Sequence, residues 1–571
     1  MRLSVPAAAA LAATTLAFAT PLRPTAGAPS GPTGPTDDEE QAEVLAEAEE
    51  LMLRLPLTYH VEAYELLAGT EELYGIEELV RMYEKPQVPK DQSRYLLASA
   101  LGKKGGGEEI VPRLAEWRED ANGSDDAWLW RHALAIEVHE TSPDVALDVA
   151  RNAKDVMLRG AAIEALAAHR DESLYTLVPE LAKAMPKKDA EKIALMGSMA
   201  TAVSKLANKR TRTKSEWKQM ALTLIALLDD EEFPRAAKLV LARHLGAALD
   251  ADQIVLEGNA WRTLIAQRSR EEKEKRKPKK KSEDEDKKEI EYVKPSFFGV
   301  EVTGERICYL IDLSDSMAEP IPEEWRPTGA PTSGPRKRRK WKKGEIPTAD
   351  DIPWYRVETR FDLAREHLRV SLLRLQPDQL FTVIGFGSYA DYVDGCEGMV
   401  KASSGTVKKV LKALDEIEVG SPQGERVHGT LWGDTNMFAG IKLAYATGKK
   451  GEVKDPSYVA LETFEHGADT LFVLSDGDPS IDDYVVEDVD YGDGIVVKDR
   501  ESGEESDQRG AKLNYPGPYR YWDFLLEEVK RLNMLRELEI HVISVGDADT
   551  VALDRLAKIG HGKVEIIGKE N

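Results

Sequence analysis

The sequence is poor in cysteine, in basic residues relative to acidic ones, and in long apolar runs. Its 571 residues include two cysteines, Cys308 and Cys396, too few for a disulfide framework or a cysteine-based zinc site. We expect Cys308 to pack as a small core residue, with a bridge to Cys396 as the alternative. The 77 Lys and Arg are outnumbered by 101 Asp and Glu, and the resulting net charge of −24 argues against nucleic acid as a partner.

The remaining composition is that of a globular protein with several domains. Hydrophobic residues make up 42% and charged residues 31% of the chain. The 42 Gly and 29 Pro are ordinary numbers for this length, so a collagen or a wholly disordered chain is excluded. At roughly 100–200 residues per domain, the length predicts two to four domains.

The N-terminus has the pattern of an export signal. Arg2 is followed by an apolar stretch that ends at Ala19, and residues 17–19 offer the small side chains of a cleavage site. We therefore predict a signal peptide at residues 1–19 and a Pro/Gly/Thr linker at 20–36. No segment reaches the ~20 apolar residues of a membrane-spanning helix, so no transmembrane segment is expected after cleavage. The prediction is an exported bacterial protein, periplasmic or secreted, with an uncleaved anchor or a non-targeting tail as the alternative.

Residues 37–267 show amphipathic helical periodicity and no convincing strand. A basic residue followed by a small, apolar helical face recurs at intervals close to the length of one helix pair. The recurrences begin at Arg94, Arg131, Arg159, Lys192 and Arg235. This pattern resembles HEAT-like repeats, in which pairs stack because no single pair can bury its apolar face. A helical domain without repeats is the alternative.

A charged linker is predicted at residues 268–295, between the helical region and a different pattern. Lys, Arg, Asp and Glu dominate this segment, and such mixed-charge runs form solvated helices or tethers. In residues 296–571, apolar strand-like runs alternate with helical segments, which predicts a parallel sheet covered on both faces. The expected fold class is multidomain: an all-α N-terminal domain followed by a doubly wound, Rossmann-like α/β domain.

Oxygen-bearing side chains lie in three separated segments of the predicted α/β domain. Asp312, Ser314 and Ser316 follow the first predicted strand, Thr435 lies between two helices, and Asp476 follows a later parallel strand. In an open doubly wound sheet, ligands bind beyond the carboxyl ends of the strands. Ligands that offer only oxygen select a hard divalent cation, so we predict a Mg²⁺ site, with Mn²⁺ or Ca²⁺ as competitors.

This constellation resembles the metal-ion-dependent adhesion site (MIDAS) of von Willebrand factor type A (VWA) domains, with its Asp-x-Ser-x-Ser, downstream Thr and downstream Asp. The resemblance extends from Phe297 to Ile567. It implies that Ser314 and Ser316 bind the metal directly, that the other three residues bind in some states or through water, and that a partner's Asp or Glu completes the shell. The family usually has Gly between the serines, where this chain has Asp315. That carboxylate either points to solvent or adds negative charge near the cation.

Two insertions are predicted in the α/β domain, at about residues 319–357 and 480–518. The first carries a basic run at 336–343, and the second is acidic and ends in an aromatic stretch. Long loops inside a domain are usually functional or disordered. The opposite charges predict either that the insertions pair over the metal or that they form a partner surface. Aromatic side chains often anchor interfaces, and the predicted partner-binding rim comprises Trp341, Trp354, Trp432 and Tyr519.

The motifs favour binding over catalysis. The sequence offers no convincing pairing of a nucleophile with a base and no paired carboxylates on a cleft. We therefore expect a non-enzymatic adhesion or assembly protein that engages a partner's acidic residue through the cation, with the helical repeats as a second interaction surface. The alternatives are a metal-dependent hydrolase, which needs a general base near the metal-bound water, and a scaffold in which the metal is only structural.

Overall fold

The computed structural model describes most of the chain between residues 37 and 567. The described ranges are 37–54, 56–70, 72–85, 90–103, 109–121, 123–251, 253–274, 296–331, 333–334, 347–420, 428–454, 459–488, 496–498, 505–507, 511–546 and 548–567. The predicted signal peptide, the linker at 20–36, the basic run at 336–343 and Trp341 lie outside these residues. Within them, every helix is too short or too polar to cross a bilayer.

The N-terminal region is helical throughout its described residues, as predicted. The helices are α1 (Asp37–Leu53), α2 (Leu57–Gly69), α3 (Leu73–Glu84), α4 (Lys90–Leu101), α5 (Ile110–Asp120), α6 (Ala127–Glu140), α7 (Asp144–Asn152), α8 (Val156–Ala168), α9 (Leu174–Lys183), α10 (Asp189–Leu206), α11 (Ser215–Leu228), α12 (Arg235–Leu249) and α13 (Gly258–Glu274). The last helix continues past the predicted boundary at residue 267, into the segment predicted as a linker.

The even-numbered helices form one stacked layer. Helices α2, α4, α6, α8, α10 and α12 each pack against the next, and we call them the even layer. All five recurring segments of the sequence lie in this layer, from α4 to α12. The contacts are lined by small side chains, because Ala161, Ala162 and Ala165 of α8 are fully buried. Small residues at the contact allow neighbouring helix axes to approach closely.

Local capping residues determine where key helices begin. Asp155 precedes α8, and its carboxylate accepts hydrogen bonds from the backbone N–H groups of Met157 (2.7 Å) and Leu158 (3.4 Å). Asn436 caps the later helix 437–446 in the same way, by accepting from the N–H of Ala439 at 2.9 Å. Such side chains satisfy donors that have no partner inside the helix.

The C-terminal region combines strands and helices. Its strands are β1 (Ser296–Phe297), β2 (Val300–Glu301), β3 (Arg306–Asp312), β4 (Leu380–Phe386), β5 (Ala390–Tyr392), β6 (Val400–Lys401), β7 (Thr447–Gly448), β8 (Gly451–Glu452), β9 (Thr470–Ser475), β10 (Val486–Asp488), β11 (Val496–Lys498), β12 (Glu505–Asp507), β13 (Leu513–Tyr515), β14 (Glu539–Ser544) and β15 (Val564–Ile566). Its helices are α14 (Arg360–Arg374), α15 (Ser404–Leu414), α16 (Met437–Ala446), α17 (Leu461–His466), α18 (Trp522–Arg536) and α19 (Thr550–Ile559).

The main sheet is mixed, with the strand order β15-β14-β9-β3-β4-β5. The strands from β15 to β4 run parallel to their neighbours, whereas β5 and β6 pair antiparallel with β4. The predicted parallel strands and the antiparallel edge after β4 are therefore present. Strands β1 and β2 form a hairpin, as do β7 and β8, while β10 pairs with β13 and β11 with β12. These short pairs were not predicted from the sequence.

Side chains of β3 alternate between two hydrophobic cores, as expected for a strand buried on both faces. Cys308 and Leu310 lie in the core that includes α16 and α18. Ile307, Tyr309 and Ile311 lie in the core that includes α14 and α15. Both cysteines of the chain are free and buried, in different cores, so Cys308 is a core residue as predicted.

The even layer packs directly against the α/β region, and one hydrophobic core extends through both. Helix α10 contacts α17 and α18, and α8 contacts α18. A close approach is at Leu535 of α18: a Cβ added to Gly160 would lie 2.6 Å from its Cδ2, and one added to Gly197 would lie 2.9 Å from its carbonyl oxygen. At Gly197 a Cβ would press on backbone, so this position requires glycine for the close approach, whereas at Gly160 it would meet side-chain atoms. The part of the even layer that meets α18 is therefore covered by the chain's own α/β region.

A buried arginine joins α12 to the amino ends of two sheet strands. The guanidinium of Arg243 pairs with Glu539 at 2.9 Å and donates hydrogen bonds to the carbonyl of Asp469 (3.0 Å) and the hydroxyl of Thr470 (3.1 Å). Thr470 begins β9 and Glu539 begins β14. The helical region thus holds the edge of the sheet opposite to the predicted cation site.

Candidate metal site

The predicted cation site lies where the strand order of the sheet reverses. From β3 the sheet continues through β4 to β5 on one side, and from β9 through β14 to β15 on the other. Open α/β sheets bind ligands outside the carboxyl ends of strands at such a switch point. Asp312 is the last residue of β3, and Asp476 follows the last residue of the adjacent strand β9. The topology therefore brings these two predicted ligands together.

Asp312 is fixed in place by hydrogen bonds from both loops. Its side chain is fully buried. One carboxylate oxygen accepts a hydrogen bond from the N–H of Ser314 at 2.9 Å, and the other accepts one from the hydroxyl of Ser475 at 2.6 Å. Ser475 was not predicted, although its position directly before Asp476 at a strand end could have identified it.

Three of the predicted ligands form a continuous row of oxygen atoms. The hydroxyl oxygens of Ser314 and Ser316 are 3.1 Å apart, and the Ser316 hydroxyl donates a hydrogen bond to Asp476 Oδ1 at 2.8 Å. Together with Asp312, which bonds to the backbone of Ser314, four of the five predicted ligands lie in one connected cluster. The donor set consists of neutral hydroxyls and carboxylates, which are the groups that bind hard cations.

The fifth predicted ligand, Thr435, lies in a third loop that contacts the first. The N–H of Asp315 donates a hydrogen bond to the carbonyl of Gly433 at 3.0 Å. Thr435 is buried, and its backbone forms two hydrogen bonds with Ser480: its N–H donates to the Ser480 hydroxyl (2.8 Å), and its carbonyl accepts from the Ser480 N–H (3.0 Å). The loops after β3 and β9 therefore both contact the segment that carries Thr435.

The carboxylate of Asp315 does not project freely into solvent. It packs against two glycines: a Cβ on Gly420 would lie 1.6 Å from Oδ1, and one on Gly433 would lie 2.4 Å from Oδ2. Oδ1 is buried and makes no hydrogen bond among the described residues. Of the two alternatives for this residue, the solvent-directed one is wrong, because glycines at 420 and 433 make room for the side chain between the loops.

Arg360 is an additional charged residue of the site. Its guanidinium lies 2.7 Å from Asp476 Oδ2 and 2.6 Å from Glu319 Oε2. Arg360 is the first residue of α14, where Thr359 and Asp362 form a capping box. The capping pattern predicts the helix start, but no local signal connects Arg360 with a carboxylate that is distant in sequence.

Burial dominates the electrostatics of the two carboxylates. Desolvation, together with the negative charge of Asp476, raises the pKa of Asp312 to about 7. Burial also raises the pKa of Asp476, although the hydrogen bond from Arg360 opposes the shift. Two buried carboxylates in one cluster are costly to ionise, and a bound dication would offset that cost. The electrostatics and the donor set therefore both fit a cation.

The structure places the described residues of the predicted aromatic rim in different surroundings. Trp432 is 53% exposed, and its ring stacks on His428 with the centroids 4.4 Å apart. Trp354 is half-buried and packs against the core of α14 and α15. The assignment of Tyr519 to the rim is wrong: its side chain is fully buried, because it stacks on Phe438 of α16 with a centroid distance of 4.2 Å.

Acidic residues of the second insertion bond within the α/β region. Asp482 is buried and accepts hydrogen bonds from the N–H groups of Tyr484 (2.7 Å) and Tyr519 (2.8 Å). Asp483 accepts one from the side chain of Asn436 at 3.0 Å. These carboxylates secure the insertion to α16 and its cap. The prediction that the two insertions pair depends on the basic run at 336–343, and that run lies outside the described residues.

We expect Arg360→Gln to strengthen Mg²⁺ binding by roughly three- to tenfold, about 0.7–1.4 kcal/mol. The substitution removes a positive charge 2.7 Å from Asp476 Oδ2 but retains an N–H donor. Calorimetric titration measures the affinity. Arg369→Gln, on the same helix but paired with Asp415 at 2.6 Å, is the control. Weaker binding in Arg360→Gln would show that the arginine orients the carboxylate rather than opposing the cation.

No family model matches the chain, and no curated protein matches it. The functional conclusion therefore depends on the geometry of the site.

Proposed function

We propose that this protein binds a partner protein through a Mg²⁺ ion held by Asp312, Ser314, Ser316 and Asp476, and that an Asp or Glu of the partner completes the coordination. The observation that carries the proposal is the row of oxygens from Ser314 through Ser316 to Asp476 at the carboxyl edge of the sheet. Thr435, on the adjoining loop, is the state-dependent fifth ligand of the proposal. The protein acts as an adhesion or assembly factor rather than as an enzyme.

The donor set of the oxygen row supports a hard divalent cation. Neutral hydroxyls and two carboxylates suit Mg²⁺, with Mn²⁺ or Ca²⁺ as competitors, and the oxygens of the row lie 3.1 and 2.8 Å apart. Two carboxylates balance the charge of the dication and leave positions for water or one incoming carboxylate.

We also propose which fold families the two regions belong to. The strand order, the antiparallel edge beside β4 and the three loops support a VWA domain with a MIDAS. The stacking of the even layer supports HEAT-like repeats. In this proposal, the part of the even layer that packs on α18 stabilises the metal-binding domain. The remaining surface of the repeats is available for a second interaction. The N-terminal sequence pattern supports export to the periplasm or the medium.

Trp432 supports the location of the partner surface. It lies three residues before Thr435 and is exposed. Its backbone has φ of 65°, a left-handed conformation that bulky residues rarely adopt. Such strain often occurs at functional sites, and large exposed aromatic residues are typical interface anchors. Trp432 is therefore the rim residue that we place in contact with the partner.

A metal-dependent hydrolase is less well supported. Such an enzyme needs a general base within hydrogen-bonding reach of the metal-bound water. Glu319 is an acidic residue beside the cluster, and it is paired with Arg360 at 2.6 Å. The Glu319 carboxylate is therefore directed at the Arg360 guanidinium. The arrangement favours binding over hydrolysis.

The test is a pull-down with the immobilised mature protein from an extract of the source organism, in Mg²⁺ and in EDTA. We expect one set of proteins to be retained in Mg²⁺ and lost in EDTA or with Asp476→Asn. Asp378→Asn, an exposed aspartate before β4 at the opposite edge of the sheet, is the control and should retain them. Retention that survives both EDTA and Asp476→Asn would contradict the proposal and support the scaffold alternative.

A further inference from the structure

A second cluster of possible metal ligands lies between the helical and α/β regions. His244 comes from α12, Glu537 directly follows α18, and His561 follows α19. One ligand atom from each residue lies within 4.8 Å of the other two. His244 Nε2 and Glu537 Oε2 are 3.0 Å apart, and the rings of His244 and His561 meet edge to face with centroids 4.4 Å apart. The two histidines and the carboxylate therefore converge from both regions of the chain.

The atoms of His244 and Glu537 that face away from this cluster are held by hydroxyl groups. His244 Nδ1 lies 2.9 Å from the hydroxyl of Ser204, and Glu537 Oε1 accepts a hydrogen bond from the hydroxyl of Thr201 at 3.0 Å. The Ser204 hydroxyl also donates to the carbonyl of Thr201 at 3.0 Å. With its one proton used there, Ser204 is placed to accept from Nδ1–H. Nε2 lies at hydrogen-bonding distance from Glu537 Oε2, where a bound cation would replace the proton that the two atoms share. Metal-binding histidines are typically oriented in this way by a partner on the other ring nitrogen.

The backbone at two of the three residues has a conformation that favours glycine. Glu537 has φ of 51° and His561 has φ of 55°. A non-glycine residue in this region costs of order 1–3 kcal/mol, and such residues cluster at functional sites. Glycine would remove the strain at both positions, and it would also remove the two side chains that face His244. The strain is thus associated with the side chains that form the cluster.

The cluster opens into a cavity between the two regions. The cavity has a volume of about 650 Å³, and its lining includes all three residues together with Glu164 and His132. Glu164 Oε1 and His132 Nε2 are buried without a hydrogen-bond partner among the described residues. An open cavity next to three ligands matches zinc sites that have three protein ligands and an exchangeable fourth position.

We propose that His244, Glu537 and His561 bind a transition-metal ion, with Zn²⁺ as the preferred occupant, and that this ion clamps the helical region to the α/β region. Two imidazoles and a carboxylate are the ligand set that zinc accepts and that Mg²⁺ avoids. The clamp is separate from the oxygen cluster at Asp312 and does not depend on the function proposed for that cluster. Because it joins two regions of one chain, the ion stabilises their docking.

The experiment is calorimetric titration of the untagged, chelator-treated mature protein with Zn²⁺, supported by metal analysis after dialysis. We expect one Zn²⁺ per chain and a thermal unfolding temperature that rises with Zn²⁺ concentration, because binding to the folded state stabilises it. His561→Asn should weaken zinc binding by at least about 100-fold, and Ser204→Ala by about 10-fold, the effect typical of a lost supporting hydrogen bond. His466→Asn, on α17 and outside the cluster, should bind zinc as the parent does.

Three outcomes would overturn the proposal. They are the absence of zinc binding in the parent protein, unchanged affinity in His561→Asn, and loss of zinc binding in Asp312→Asn, which would place the ion in the oxygen cluster. His561 lies in a turn outside the hydrophobic cores, so its variant should fold, and circular dichroism checks this. A tetrahedral-type visible absorption spectrum with Co²⁺, present in the parent and lost in His561→Asn, provides a readout independent of stability.

Discussion

Asp312→Asn is expected to abolish detectable Mg²⁺ binding while preserving the fold. The variant removes one of the two carboxylates that would balance the charge of the proposed dication. Asparagine can retain both hydrogen bonds of Asp312: its carbonyl accepts from the N–H of Ser314, and its amide donates to the hydroxyl of Ser475, which can itself donate to the Gly477 carbonyl at 3.1 Å. The variant therefore keeps the hydrogen-bond geometry around residue 312 and loses the negative charge of its side chain.

The same variant should become more stable than the parent as pH rises, when both are studied in EDTA. The pKa of Asp312 is raised from 3.8 to about 7 in the folded state by burial and by Asp476. A carboxyl group with a raised folded-state pKa favours folding while protonated, and this advantage is lost as pH rises from about 4 to about 7. Asparagine does not titrate, so the difference in unfolding free energy between variant and parent should grow across that window. Each tenfold difference in proton affinity between the folded and unfolded states contributes about 1.4 kcal/mol.

Urea denaturation at several pH values, with and without Mg²⁺, measures both effects. In excess Mg²⁺ the parent should be more stable than Asp312→Asn, because the parent gains the free energy of Mg²⁺ binding and the variant does not. Asp378→Asn, at the opposite edge of the sheet, should follow the parent throughout. Mg²⁺ affinity that is unchanged in Asp312→Asn would remove the basis of the proposed function.

Arg243→Met is expected to destabilise the protein by about 3–5 kcal/mol and to separate the unfolding of the helical and α/β regions. The substitution leaves Glu539 buried without its cation, and removing one partner of a buried ion pair has an effect of this size. Burial alone would raise the pKa of Glu539, but Arg243 and His541 hold it well below its ordinary value. The carbonyl of Asp469 also loses a donor.

Urea unfolding monitored by circular dichroism should show one transition in the parent and two in the variant. Arg151→Met is the matched control, because Arg151 pairs with Glu180 at 3.0 Å in a solvent-exposed position, where an ion pair contributes below about 1 kcal/mol. Adding Glu539→Gln to Arg243→Met should recover part of the loss by removing the buried charge. A single transition with an effect as small as that of Arg151→Met would show that other contacts hold the regions together.

Much of the α/β fold could be predicted because its signals are local. Parallel strands such as β3 and β9 are continuous apolar runs followed at once by Asp, Ser or Gly, so both the strand and the loop beyond it are visible in the sequence. The clustering of Asp312, Ser314, Ser316 and Asp476 followed from the rule that strand ends meet at one edge of the sheet. For Thr435 the sequence predicts only that it lies in a loop between two helices. The course of that loop cannot be predicted, because a loop has no periodic hydrophobic pattern.

The remaining features depend on contacts between residues that are far apart in sequence. Arg360 approaches Asp476 through the docking of α14, which no local pattern specifies. Tyr519 belongs to an aromatic segment that is typical of an exposed loop, and its burial depends on the position of Phe438. Gly197 lies inside α10, where glycine is normally unfavourable, and the reason for its presence is visible only once α18 is in place.

The anchoring of β9 at both ends has a mechanical consequence. Arg243 donates hydrogen bonds to Asp469 and Thr470 at the start of this strand. Asp476 directly follows the last residue of the strand. Between them β9 is hydrogen-bonded on both sides, to β3 and to β14. In the proposed function, a force applied through a cation at Asp476 would act along this central strand as tension and would be shared with its two neighbours as shear. The proposed partner site and the stacked helices are thus connected by the length of one central strand, with Arg243 at its helical end.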